Sequence, residues 1–271
     1  MNRLEAAFKN LRAQKRKAFI PFVMGGDPNL PTTREILPAL QEAGADIIEV
    51  GIPFSDPLAD GPTIQAASMR GLASQATPRA VMDLLQDLRP KLTVPVVCLT
   101  YWNPVIQFGG PSREAQPEAF LRACVQSGVS GVVVPDLPVE EGEAWAEMAR
   151  KLGVCAIFLA APTSTPERLR LIARAASGFI YYVSLTGTTG ARAELPPELP
   201  AGVRQLRLVT TIPVCVGFGI AAPEQVRQVA SFADGVIVGS ALVQKIAGVK
   251  KEQAAATAAA FVRELRTGLE K

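Results

Sequence analysis

Short apolar, β-branched runs alternate with longer stretches in which apolar residues recur at helical spacing, and the alternation continues along the whole chain. Residues 3–12 come first, with Leu4, Phe8 and Leu11 on one face of a predicted amphipathic helix. Strands are then predicted at 18–24, 47–52, 94–100, 131–134, 155–160, 179–184, 214–217 and 235–238. Helices are predicted between them at 33–43, 63–74, 79–88, 114–127, 140–152, 165–176 and 202–210, another starts at Pro223, and the chain beyond the last strand reads as helical to its end. Strand and helix alternate eight times with no linker and no change of composition. That order predicts an α/β protein made of one (β/α)8 TIM barrel over residues 1–271, with the extra N-terminal helix available to plug one end. The competing architecture is an open doubly wound sheet. Its dinucleotide turn would need Gly-x-Gly-x-x-Gly after the first strand, where this chain has Gly25-Gly26-Asp27-Pro28.

One charge breaks the second strand. A strand buried on both faces reads as a continuous apolar run, yet residues 47–52 read Ile-Ile-Glu-Val-Gly-Ile. Side chains alternate, so Ile47, Glu49 and Gly51 share one face while Ile48 and Val50 share the other. With Ile48 and Val50 against helices, Glu49 points into the barrel. A carboxylate there must be paired, hydrogen-bonded or protonated, because a bare ion in apolar surroundings is expensive. Burial raises its pKa and keeps a proton available near neutral pH. Asp60 follows in a loop of Pro, Ser, Asp and Gly, where it is expected to stay ionised. Two carboxylates in unlike surroundings make an acid/base pair. The competing explanation gives both a structural task, Glu49 in an ion pair and Asp60 as the cap of a helix that begins near Pro62.

The last two strands end in small residues that suit an anion. Gly217-Phe218-Gly219-Ile220 follows the seventh strand, and Gly239-Ser240 follows the eighth and opens a helix. Glycines let a phosphate reach backbone N–H groups, and a helix N-terminus adds unpaired donors and the positive end of its dipole. In (β/α)8 barrels the loops after strands seven and eight commonly form such a site. Tight strand-to-helix turns would use the same glycines. After the sixth strand, residues 185–194 form a long loop rich in glycine and small residues, which reads as a lid able to close over the same anion.

Composition narrows the chemistry. The chain contains no histidine, which removes the Ser-His-Asp triad, His-based zinc sites and the commonest general base together. Acid/base work must fall to Asp, Glu, Lys, Tyr or Cys. Cys98, Cys124, Cys155 and Cys215 lie far apart without Cys-x-x-Cys spacing and read as small buried apolar residues, so no metal site is predicted. Net charge is +3, and the one dense basic cluster, residues 12–17, reads as a solvated helix end without the aromatic platforms of a nucleic-acid surface. No apolar run reaches the ~18 residues of a spanning helix, and the first residues lack the apolar centre of a signal peptide, so a cytoplasmic protein without membrane attachment is expected.

These residues carry a resemblance. Pro-Phe-Ser-Asp-Pro-Leu-Ala-Asp-Gly-Pro-Thr-Ile-Gln at 53–65 resembles the signature of the tryptophan synthase alpha chain family, supported by Pro21-Phe22, Gly26-Asp27-Pro28, Asp136-Leu137-Pro138, the 187–190 loop, Gly217-Phe218-Gly219 and Gly239-Ser240. The resemblance spans essentially the whole sequence. It implies retro-aldol cleavage of indole-3-glycerol phosphate to indole and glyceraldehyde 3-phosphate, with indole passing to a pyridoxal-phosphate-dependent beta chain that makes tryptophan with serine. It further implies a complex of two alpha and two beta chains, with no cofactor in this chain and the pyridoxal phosphate in its partner. Carried onto this chain, Glu49 would protonate the indole ring carbon and take the proton of the glycerol hydroxyl, and Asp60 would accept from the indole N–H. Tyr181 matches a tyrosine near the glutamate. Phe22, Ile64, Leu99, Tyr101, Val133 and Phe218 match positions around the indole ring. Gly190, Gly217, Gly219, Gly239 and Ser240 would cradle phosphate, and Thr189 would tie the closed lid to Asp60. One position departs, Thr188, where many members have valine. The alternatives are a free-standing lyase that needs no beta chain and, from another class, a catalytically weak barrel kept as a scaffold, which the presence of both carboxylates disfavours.

Overall fold

The computed structural model describes residues 2–109, 116–183, 195–217 and 219–270. Among these residues nine parallel strands form one sheet: β1 Ala18–Met24, β2 Ile48–Gly51, β3 Val96–Leu99, β4 Val129–Val133, β5 Cys155–Ile157, β6 Leu159–Ala160, β7 Ile180–Val183, β8 Val214–Gly217 and β9 Gly235–Val238. The helices are α1 Arg3–Ala13, α2 Leu30–Glu42, α3 Pro62–Ala73, α4 Pro78–Leu88, α5 Trp102–Ile106, α6 Gln116–Ser127, α7 Glu143–Lys151, α8 Pro166–Ala175, α9 Leu199–Arg207, α10 Pro223–Ala230, α11 Ser240–Ala247 and α12 Ala254–Arg266.

The sheet runs in the order β5-β4-β3-β2-β1-β9-β8-β7-β6. The predicted fifth strand is two pieces, interrupted at Phe158. β5 pairs with β4 and β6 pairs with β7, so one stretch of chain bonds to a different neighbour at each end and brings the two edges together. That is the (β/α)8 barrel the pattern predicts.

Three further boundaries move. Between the predicted strand at 94–100 and the predicted helix at 114–127, where no element is expected, lies α5. The helix predicted at 202–210 starts earlier, at Leu199, because Pro200 fits the first turn, where its missing N–H has no bond to lose. The C-terminal stretch breaks between α11 and α12 around Gly248, which caps α11.

Two apolar layers follow from the strand alternation. Ile48 and Val50 pack outward with Leu37, Leu40 and Leu85 of the surrounding helices. Ala18, Ile20, Ile47, Val97, Val133, Ile157, Cys215 and Ile237 point inward. Leu4, Phe8 and Leu11 of α1 belong to that inner layer, so the N-terminal helix closes one end of the barrel, as its amphipathic pattern predicts. Asn2 caps α1 and its amide also donates to the backbone of Ser130 and Gly153, tying the plug to the barrel floor. Leu4→Ala leaves a cavity in a site with 0 % exposure and is expected to cost about 3 kcal/mol in denaturant unfolding, with turnover of the folded protein unchanged. The basic cluster is mostly exposed, as expected, with Arg12, Lys15 and Arg16 open to solvent. Arg16 pairs with Asp46 at 2.9 Å, and Lys17 is half-buried with its ammonium on the Ala233 carbonyl at 2.7 Å.

Candidate active site

β2 carries Glu49 into the barrel. Its register partners are Phe22 on β1 and Val97 on β3, and Ile47, on the same face, lies in the inner layer. Glu49 is fully buried, and neither carboxylate oxygen has a hydrogen-bond partner among the described residues. Burial pushes its carboxyl up to about 8, and the negative charge of Asp60 pushes in the same direction. At neutral pH Glu49 therefore holds its proton. A structural ion-pair partner would show the opposite, a cation at hydrogen-bond distance and a lowered pKa.

Asp60 lies in the loop between β2 and α3. It does not cap the helix: the N-cap is Gly61, with no side-chain cap hydrogen bond. Asp60 stays ionised near neutral pH, but with a raised pKa that its polar loop does not signal. Although partly exposed, its carboxyl is pushed up to about 6 by burial, against a lowering interaction with the Tyr101 hydroxyl. The loop curls onto the barrel mouth, and a polar sequence gives no sign of that. Near pH 7 it is still mostly ionised, so the two carboxylates hold different protonation states side by side.

Two tyrosines flank the pair. Tyr101, just past β3, is 2 % exposed, and its hydroxyl accepts the Ala59 N–H at 3.1 Å. Tyr181 on β7 has its hydroxyl pushed well above the usual range, first by burial and then by Glu49 and Asp60. It remains a proton donor beside both acids.

An apolar wall stands next to them. Phe22, Ile64 and Leu99 pack together with Met24, Ala67 and Val243, while Val133 sits deeper, in the inner layer. The Phe22 ring lies over Gly51, where an added Cβ would come within 2.7 Å of its Cζ. Met24, Ala67 and Val243 were not singled out from sequence. For Met24 the signal was present, since it shares the face of Phe22 in β1.

The predicted anion elements lie at the ends of β8 and β9. At Gly217 a Cβ would sit 2.5 Å from the Tyr181 hydroxyl oxygen, so glycine is required there for space, and the tyrosine reaches the rim of the turn. Gly219 has φ of 51°, in the left-handed region. Gly239 is the N-cap of α11 and contributes no side-chain bond. The first amide bonded back to it is that of Val243, which leaves the amides of Ser240, Ala241 and Leu242 without helical acceptors. Phe218, Thr189, Gly190 and the rest of the 185–194 loop lie outside the described residues.

Cys98, Cys124, Cys155 and Cys215 are free and buried, as their spacing predicted. Among the described residues no group of three or more Cys, Asp or Glu gathers as a metal site, and no helix is long and apolar enough to cross a membrane.

Known proteins resemble this chain along its length. The sequence profile of the family described as tryptophan synthase alpha chain matches residues 8–270. The tryptophan synthase alpha chain of Gloeobacter violaceus is 50 % identical over 97 % of this chain and 94 % of its own length, and that of Prochlorococcus marinus is 47 % identical over the same shares. Among solved structures, tryptophan synthase subunit alpha from Legionella pneumophila superimposes with a TM-score of 0.90 at 36 % identity, covering 100 % of this chain and 99 % of its own. A chain of Mycobacterium tuberculosis tryptophan synthase superimposes with a TM-score of 0.89 at 36 % identity over the same shares.

Proposed function

The chain belongs to the tryptophan synthase alpha chain family, and from that premise we propose that Glu49 and Asp60 perform its reaction. The reaction is cleavage of indole-3-glycerol phosphate to indole and glyceraldehyde 3-phosphate, a carbon–carbon lyase step in tryptophan biosynthesis. The observation that carries the assignment is a fully buried, unpartnered Glu49 beside a more exposed Asp60.

The chemistry follows from those two states. Protonated Glu49 delivers its proton to the indole carbon that bears the glycerol chain, turning the ring into a cationic indolenine. Asp60, ionised, accepts the indole N–H and stabilises the charge that develops on the ring. Glu49, now a carboxylate, takes the proton of the adjacent glycerol hydroxyl. The carbon–carbon bond breaks, its electrons restore the indole ring, and the hydroxyl carbon becomes the aldehyde of glyceraldehyde 3-phosphate. The proton Glu49 gave is replaced by the one it takes, so the enzyme returns to its starting state.

The remaining site residues take places around this step. Phe22, Ile64, Leu99, Tyr101, Val133 and Phe218 enclose the indole, with Tyr181 next to Glu49. Gly190, Gly217, Gly219, Gly239 and Ser240 hold the phosphate through backbone amides, and Thr189 joins the lid to Asp60. Family membership implies a complex with a beta chain. The fuller reading is two alpha and two beta chains in the cytoplasm, with pyridoxal phosphate in the beta chain and no cofactor in this one. Pro53, Phe54, Asn103, Pro104 and Phe108 line an open groove of about 420 Å³ beside the Asp60 loop and are the surface on which the beta chain would press.

Indole release from indole-3-glycerol phosphate by the purified protein, with and without a beta chain, tests this reading. Cleavage that rises sharply on adding the beta chain supports the complex, and a high rate indifferent to it supports the free-standing lyase. The pH profile tests the residue roles. Catalysis needs Asp60 ionised and Glu49 protonated, so kcat/KM is expected to rise through about 6, fall above about 8 and be bell-shaped. A profile still flat a full unit above the upper value would remove Glu49 as the acid.

A further inference from the structure

Four residues in the middle of the loop that carries Asp60 are open to solvent. Ser55, Asp56, Leu58 and Ala59 are exposed, Leu58 to 91 %. Its own backbone supplies only two short turns, from the Leu58 amide to the Asp56 carbonyl at 2.9 Å and from the Asp60 amide to the Pro57 carbonyl at 3.0 Å. A loop built this way does not fix a carboxylate to the tolerance that catalysis needs. Something outside it must.

That element is a serine in the helix beyond. Ser68, at 1 % exposure on the inner side of α3, accepts the Phe54 N–H at 2.8 Å and donates to the Phe54 carbonyl at 2.8 Å. One hydroxyl thus closes both backbone groups of one residue, as a neighbouring strand would, at the point where the chain leaves β2. Phe54 and Ser68 bracket the segment that contains Asp60. With its backbone fixed, Phe54 sets its ring against Tyr101, with centroids 5.4 Å apart at an interplanar angle of 32°. Tyr101 then reaches the far side of the loop, accepting the Ala59 N–H at 3.1 Å with its hydroxyl beside the Asp60 carboxylate. At the other end, the Gln65 side chain donates to the Asp60 carbonyl at 2.8 Å.

We propose that Ser68 is a positioning residue for Asp60, acting through the Phe54 backbone and the Phe54–Tyr101 ring pair. The proposal rests on the catalytic assignment of Asp60 given above. A helix interior does not need a serine, since alanine there has the better helix propensity and nearly the same volume. The hydroxyl is there for the Phe54 backbone. Pro53 and Phe54 also line the open groove beside this loop.

The test is steady-state cleavage of indole-3-glycerol phosphate by full-length Ser68→Ala, with Phe54→Leu as a second variant that leaves α3 untouched. Both are expected to lose kcat by about tenfold while KM and inorganic phosphate affinity stay within about twofold, because the reacting geometry loosens and the anion site does not. The acid limb of the pH profile supplies a readout that plain destabilisation would not move. Releasing the loop removes the burial that raises the Asp60 pKa, so in Ser68→Ala that limb moves to lower pH. Tyr101→Phe removes the lowering interaction and moves it to higher pH. In an Asp60→Asn background Ser68→Ala should cause no further loss. Unchanged kcat in both variants, an unmoved acid limb, or additive losses in the double variant would overturn the proposal while leaving Asp60 in its role. Near-normal turnover of Asp60→Asn itself would overturn both.

Discussion

Glu49→Gln is expected to abolish cleavage, with indole release down by about 10³-fold or more, because in the proposed mechanism one side chain both gives and takes a proton in the same turnover. Glutamine keeps the size of the carboxyl and can do neither. Affinity for phosphate ligands should stay within about tenfold, since the glycine turns after β8 and β9 are untouched. Stability separates this loss from misfolding. Glu49 ionises near 4.5 when unfolded and near about 8 when folded, so the folded state holds its proton across that window while the unfolded chain releases it. Its contribution to stability is fully present below about 4.5 and is lost as pH climbs through about 8. The Gln variant lacks that loss and should unfold at higher denaturant than the parent at pH 8. An inactive variant that is also less stable at that pH would point to a structural role instead. Near-normal turnover would end the acid/base assignment.

Asp60→Asn is expected to be nearly as damaging, with kcat down by about 10²–10³-fold, because an amide cannot neutralise the cationic indolenine. A second change follows from the same charge. Asp60 helps hold the Glu49 pKa up, so removing it should shift the Glu49 titration to lower pH. Residual activity of Asp60→Asn would then lose its alkaline limb at a lower pH than the parent. Carbon-13 NMR of labelled glutamate reads that displacement directly, even when turnover is too slow to profile. An unmoved Glu49 titration would show that the two carboxylates are not coupled and would undo the pairing.

Much of the barrel was legible because its period is local. Ile47, Glu49 and Gly51 alternate with Ile48 and Val50, and the two sets occupy the inner and outer layers as the alternation requires. Boundaries slipped where local signals conflict. Phe158 continues an apolar run, yet the strand breaks there because its two halves bond to different neighbours. α5 lies between the predicted strand at 94–100 and the predicted helix at 114–127, where the pattern gives no helix.

Glu49 was legible as a candidate because a charge inside an apolar strand must be paired, hydrogen-bonded or protonated. Local pattern was enough for the alternation of elements, the inward face of Glu49 and the glycines at the ends of β8 and β9. How far the Asp60 carboxyl is raised came only from the folded barrel, where burial pushes it up and the Tyr101 hydroxyl holds it down. Tertiary structure also decided the part of Ser68, an unremarkable helix residue until Phe54 meets it from fourteen positions away. Periodicity records which way a side chain points from its own element. What it meets there depends on segments far along the chain, and no local pattern encodes that distance.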